Sequence, residues 1–212
     1  MIKMTEILTL DKLVYSTDVP KKHREIMANI SNTIFADFDI RQFKSSPPPK
    51  NSSNQTFREM ISLDKIMMPP NQINAADHVD NYFKGYFIQN NLDFPTKDVR
   101  KIVQDSKPII LTLKYFYNRP RPAQIAKALS LKFHHEPLET AKTPSYPSGH
   151  STQAFLVGKY LSAIYPEHSV NIMNLADDIS KSRLAANIHY PTDSIFGERI
   201  ALALYLYMRN KL

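Results

Sequence analysis

Apolar residues recur at helical spacing along most of the chain, and the pattern is cleanest in the last third. Over residues 192–210, Ile195, Phe196, Ile200, Leu204 and Tyr207 fall on one face, which predicts an amphipathic helix. Over 167–187, Ile172, Leu175, Ala176, Ile179 and Ala186 do the same. A third helix is predicted from Pro147 or Ser148 to about Tyr165, with Ala154, Val157, Leu161 and Tyr165 facing inward. Upstream, the pattern predicts helices over about 20–35, capped by Thr17 or Asp18, and over 55–67, 71–90, 96–117 and 123–131. Pro108 lies inside 96–117, where a kink or break is expected because proline lacks the N–H that a helix interior needs. Residues 44–56, rich in Ser, Pro, Asn and Lys, read as a flexible loop, and 134–147 as a proline-punctuated one.

No βαβ alternation and no repeat period interrupts these helices. Only 4 glycines occur in 212 residues, which argues against a sandwich, a barrel or a glycine-rich nucleotide loop. The expected fold class is therefore all-α, a compact helical bundle forming a single domain over 1–212. The chain has no cysteine, which removes disulfides, thiolate nucleophiles and cysteine-ligated zinc. Charges interrupt the first six residues before an apolar core can form, so no secretory pattern is read there. The longest apolar run, 200–208, is about half of the ~20 residues that span a bilayer, so no membrane span is expected. A cytoplasmic location follows as an expectation.

A net charge of +7 favours anionic partners, although scattered lysines also serve solubility alone. Three polar clusters narrow that choice. In the first, Lys114 precedes Arg121-Pro122 by two helical turns, so both cations reach one anion if the helix persists to its end. Arg119 would face elsewhere. In the second, 145–151, Ser148 and Gly149 stand where a helix begins and backbone N–H groups make an anion site. His150 points inward there and could donate a proton to a leaving oxygen. In the third, Arg183 shares the inward face of its helix with Ile179, where a guanidinium needs an anion. His189 and Asp193 follow four residues apart, so the carboxylate can fix one ring nitrogen and leave the other as a nucleophile.

Taken singly, each cluster also fits a plainer description: a solvated basic helix end, a proline–serine cap with a core histidine, or a polar surface turn. Asp77, His78 and Asp80 resemble half a metal site, but a solvated helix face explains them, and no metal ligand is assigned. Together the clusters read Lys-x6-Arg-Pro, Pro-Ser-Gly-His and Ser-Arg-x5-His-x3-Asp, in that order over 114–193. In this the chain resembles the superfamily of class A bacterial acid phosphatases, type 2 phosphatidic acid phosphatases and vanadium haloperoxidases. The resemblance implies an all-helical fold and a metal-independent phosphate monoesterase. Lys114, Arg121, Ser148, Gly149 and Arg183 would bind phosphate, and His189 would form a phosphohistidine. Asp193 would orient His189, and His150 would act as general acid and base.

No cofactor is implied, except vanadate if the chain is instead a haloperoxidase. The expected partner is a small phosphorylated substrate, and a homo-oligomer is compatible with the sequence. A non-catalytic phosphate or nucleic-acid binder would need the cations but not His150, His189 and Asp193 together. No nucleic-acid signature is present. The first hundred residues carry no motif of the superfamily.

Overall fold

The computed structural model describes residues 9–209; the first six residues and the end of the last predicted helix at Asn210 lie outside them. Between Lys21 and Arg209 run nine α-helices: α1 (Lys21–Ala28), α2 (Asn54–Leu63), α3 (Pro70–Ala75), α4 (Val79–Gln89), α5 (Thr96–Tyr117), α6 (Pro122–Ala128), α7 (Gly149–Ile164), α8 (Ser169–Ala185) and α9 (Pro191–Arg209). No strand occurs among the described residues, so the fold is all-α as expected.

The core is built where the apolar spacing is cleanest. Helix α7 packs along both α8 and α9, and α5 lies against both α7 and α1. Ala154, Val157 and Leu161 of α7 meet Ile172, Ala176 and Ile179 of α8 and Phe196, Ile200 and Leu204 of α9, all buried. Ile195 departs from its predicted face: it is 65% exposed, and Ala201 and Met208 take the inward positions instead. The α7–α8 crossing is close because Gly158 offers no Cβ; one placed there would sit 3.2 Å from the Ala176 Cβ. Tyr146, just before α7, stacks on Phe196 with ring centroids 4.4 Å apart and so ties the middle motif to α9.

Several helix boundaries differ from expectation for local reasons. Pro108 does not break α5, which runs unbroken through 22 residues with Val99, Ile102, Ile109, Ile110 and Leu113 on its buried side. What ends α5 is Asn118 in the left-handed conformation (φ 48°, ψ 35°), its N–H returning to the Lys114 carbonyl. Lys114 and Arg121 are therefore not on one helix: Arg121 caps α6, with Pro122 in its first position. The first helix is shorter than predicted and is capped by Pro20 without a side-chain bond, not by Thr17 or Asp18. The predicted 71–90 helix is two, parted at 76–78, and that break carries Asp77. Within the loop before α2, Asn51 is buried and donates to the Leu10 and Leu13 carbonyls, both at 2.8 Å.

The tightest constraint on the helix frame is Gly197. A Cβ there would meet the Ser148 carbonyl oxygen at 2.8 Å and Thr152 Oγ1 at 3.0 Å. Backbone at that distance cannot swing aside as a side-chain tip can. Gly197→Ala is expected to destabilise the fold by about 1–3 kcal/mol, despite alanine's better helix propensity, as read from urea unfolding.

Candidate active site

Helix α9 begins with a turn that closes on itself. His189 precedes it, Asp193 lies in its first turn, and Asp193 Oδ2 accepts from the Tyr190 N–H at 3.0 Å and stands 3.0 Å from His189 Nδ1. The Ser145 hydroxyl donates to the same oxygen, and Arg119 Nη1 donates to Oδ1 at 2.7 Å. The carboxylate is wholly buried. Burial alone would push its pKa up, but the Arg119 guanidinium and the bonds from His189 and Ser145 overcome this and hold it well below the usual carboxylate range. An ionised Asp193 only accepts, so the proton between the two rests on His189 Nδ1. Nε2 is left with its lone pair.

Burial, together with the positive charge of Arg121, pushes the His189 pKa well below that of a free histidine. The ring is thus neutral, oriented, and 97% removed from solvent. It lines a cleft of about 360 Å³ together with Lys114, Arg121, Gly149 and His150.

Lys114 and Arg121 are both buried, and their bonds have an unusual destination. Lys114 Nζ donates to the Pro144 carbonyl at 2.6 Å, and Arg121 donates to the carbonyls of Thr143 (2.9 Å) and Ile188 (2.7 Å). Arg121 Nη1 also lies 3.4 Å from His189 Nε2. Neither cation forms an ion pair with a carboxylate among the described residues. Burial lowers both pKa values, Lys114 well below its usual range and Arg121 to about 10. Two desolvated cations answered only by carbonyl dipoles make a site that gains from an anion.

Gly149 and His150 occupy the first two positions of α7, where N–H groups find no carbonyl within the helix. Ser148 is placed differently from the expectation. Its hydroxyl caps α7 by accepting from Ser151, and its N–H donates to the Asp193 carbonyl at 2.9 Å; it does not line the cleft. Arg183 is also set back from the cleft. It is fully buried and, contrary to the expectation that a ligand would be its partner, Nη1 meets Asp77 Oδ1 at 2.5 Å and Nη2 donates to the Ile73 carbonyl.

Asp77 is therefore no solvated helix face. The break between α3 and α4 turns its carboxylate inward to Arg183, His150 Nε2 (3.3 Å) and the Thr140 hydroxyl (2.6 Å). Burial would raise its pKa, but the His150 and Thr140 bonds and the Arg183 charge hold it far below the usual carboxylate range. Each site histidine thus has its own aspartate: Asp193 for His189 and Asp77 for His150. Burial lowers the pKa of His150, against the pull of Asp77.

Arg119 does face away from the cleft, yet it is part of the site. It lies beneath Asp193, bonds Thr192 Oγ1 at 2.8 Å and Glu59 Oε2 at 3.3 Å, and stacks 3.8 Å from the centre of the Tyr190 ring. Glu59 in turn accepts from the Thr192 N–H and hydroxyl. Glu59, Asp77, Arg119 and Ser145 went unassigned in the sequence, because their partners lie 48 to 133 residues away. Three of them left a signal: Arg119 as a second arginine two residues before Arg121, Ser145 inside the 145–151 cluster, and Asp77 beside His78 and Asp80.

The neutral state of His189 has a thermodynamic consequence. Its folded pKa lies below the unfolded value of ~6.5, so below that pH the unfolded chain binds more protons and stability falls as pH drops. The slope approaches about 1.4 kcal/mol per pH unit for one such histidine, and His150 acts in the same direction. Glu59, whose folded pKa is raised by burial above its unfolded value, opposes it as pH falls through the carboxylate range. Urea unfolding between pH 7.5 and 5.5 is expected to show the loss, and His189→Gln to flatten it.

With this geometry in view, comparisons with known proteins agree on the fold. A family model described as the PAP2 superfamily matches residues 106–211, half of the chain. No curated protein matches at a significant level. Among solved structures, a bacterial vanadium-dependent iodoperoxidase is similar with a TM-score of 0.61 at 18% identity, over 82% of this chain. This chain spans 53% of that protein's length. A transmembrane PAP2-type phosphatidylglycerolphosphate phosphatase from Bacillus subtilis is similar with a TM-score of 0.50 at 15% identity, over 91% of this chain and 96% of that one. Among the described residues here, no helix is long and apolar enough to cross a membrane. The motif-bearing half is matched by the family model, the helical frame is shared with both solved structures, and the chain belongs to the PAP2 superfamily.

Proposed function

We propose that the protein hydrolyses phosphate monoesters through a phosphohistidine on His189, without a metal ion. Membership of the PAP2 superfamily supports a phosphatase-type activity in general. The observation that carries the finer reading is the pairing of two buried cations, Lys114 and Arg121, with a neutral histidine anchored by a carboxylate. The cations would draw a phosphate dianion to the floor of the cleft and offset charge on its equatorial oxygens in the transition state. Gly149 and His150 would add backbone N–H donors at the α7 terminus. Arg183 would act from behind, sharing its charge with Asp77 and adding to the field on the bound anion.

His189 Nε2 attacks phosphorus as the bond to the ester oxygen breaks. His150, whose Nε2 is held by Asp77, gives a proton from its other nitrogen to that oxygen. An arriving dianion raises the pKa of His150, so the proton is present when it is needed. Water then attacks phosphorus, His150 takes its proton, and the P–N bond breaks to free His189. Asp193 stabilises the charge that builds on the His189 ring. Ser148 contributes as the cap that positions Gly149 and His150, and Arg119 by holding Asp193.

The test is release of phosphate from phenyl phosphate by the purified chain in EDTA. Turnover inhibited by vanadate is expected, and His189→Ala should lower it by ~10³-fold or more while phosphate binding persists. Full activity in His189→Ala, or activity that EDTA removes, would contradict the mechanism. Halide oxidation by peroxide after loading with vanadate, in the absence of ester hydrolysis, would replace it with a haloperoxidase.

A further inference from the structure

The cleft continues outward from the reaction centre, and the mouth is as cationic as the floor. Lys22 of α1, Lys107 of α5 and Lys142 line it. Among the described residues Glu139 is the only carboxylate lining the cleft, and it is committed to Lys142 at 2.6 Å. Lys22 and Lys107 are placed differently. Among the described residues neither forms an ion pair: Lys21 takes Glu25, and Asp80, the carboxylate nearest in effect to Lys107, pairs with Arg100 at 3.5 Å. Lys107 Nζ instead donates to the neutral Gln104 side chain at 2.9 Å. Its pKa is lowered first by partial burial and then by the charge of Lys22, so the two lysines repel across the mouth.

Helix geometry gives the spacing. Lys107 and Lys114 are seven residues apart on the unbroken α5, hence on one face and on the order of 10 Å apart along its axis. The cleft, about 360 Å³, is at the small end of the ~300–1,000 Å³ found for small-molecule sites. A polymer or a large headgroup is not what such a space selects.

We infer that Lys22 and Lys107 form a second anion subsite, so that the substrate is a small phosphate monoester bearing a carboxylate or second phosphate several bonds from the scissile group. This rests on the reading of the Lys114–Arg121 floor as the phosphate site. A directly adjacent diphosphate would place both charges at the floor and leave the mouth lysines unanswered.

Calorimetric binding to the whole chain tests this without requiring turnover, using methylphosphonate, methylenediphosphonate, 4-phosphonobutyrate and butane-1,4-diphosphonate. At least one of the two four-carbon-range probes should bind about tenfold or more tightly than methylphosphonate, and which one does so separates carboxylate from phosphate. In K22Q/K107Q that advantage should shrink to about twofold or less while methylphosphonate affinity stays measurable, which also reports a folded floor. K181Q, on an exposed lysine outside the cleft, should keep it, which excludes a mere loss of net charge. Should the double variant fail to fold, K22Q alone, on the exposed α1, should still reduce the advantage. No advantage for the longer probes, an advantage that survives K22Q/K107Q, or one confined to methylenediphosphonate would overturn the subsite. Absent methylphosphonate binding would instead remove the phosphate reading beneath it, and the subsite with it.

Discussion

The buried carboxylate of Asp193 is the interaction on which the site and much of the fold depend. Removing such a charge from water costs several kcal/mol, and here the cost is offset by four donors from three different places in the chain. Arg119 comes from the turn after α5, Ser145 from the loop before α7, His189 and the Tyr190 N–H from the turn before α9. The backbone carbonyl of the same residue receives the N–H of Ser148, so the starts of α7 and α9 are fastened at one point. Gly197, one turn later, lets the two helices close to backbone contact. The packing of Tyr146 on Phe196 completes the joint from the apolar side.

Charge around this joint is layered. Glu59, Asp193 and Asp77 lie beneath or behind the histidines, each bound to an arginine. Lys114 and Arg121 lie on the cleft side and meet only carbonyls and His189. The layering explains why His189 stays neutral although it is hydrogen-bonded to an ionised carboxylate: burial and the facing cations outweigh that bond. Reversing the layers would protonate the ring and remove its lone pair.

The sequence foretold the features that are local and periodic. The inward faces of α7 and α8, the extent of α5, and the four-residue spacing that joins His189 to Asp193 all follow from helical geometry alone. Where one residue must choose between two nearby faces, the pattern misled, as at Ile195. The α3–α4 break has neither proline nor glycine to mark it, so Asp77 looked like one more polar position on a solvated helix. Arg183 looked unpartnered because its carboxylate lies 106 residues upstream. Ser148 sat in a recognised motif, yet whether a capping serine faces its own helix or a ligand depends on how α9 approaches it, which spacing does not encode.

Those long separations bear on how the site comes into being. The Arg119–Glu59 and Arg183–Asp77 pairs close loops of 60 and 106 residues; without Asp77 the buried Arg183 has no carboxylate partner among the described residues, and without Glu59 Arg119 has Asp193 alone. Contacts of such separation carry a large loop-closure cost and form late when a chain collapses. The helices that bear the motifs can therefore associate before the anions from α2 and the α3–α4 break are in place. A segment limited to 106–211 would hold the motifs and Asp193 but neither Glu59 nor Asp77, the upstream carboxylates that meet Arg119 and Arg183.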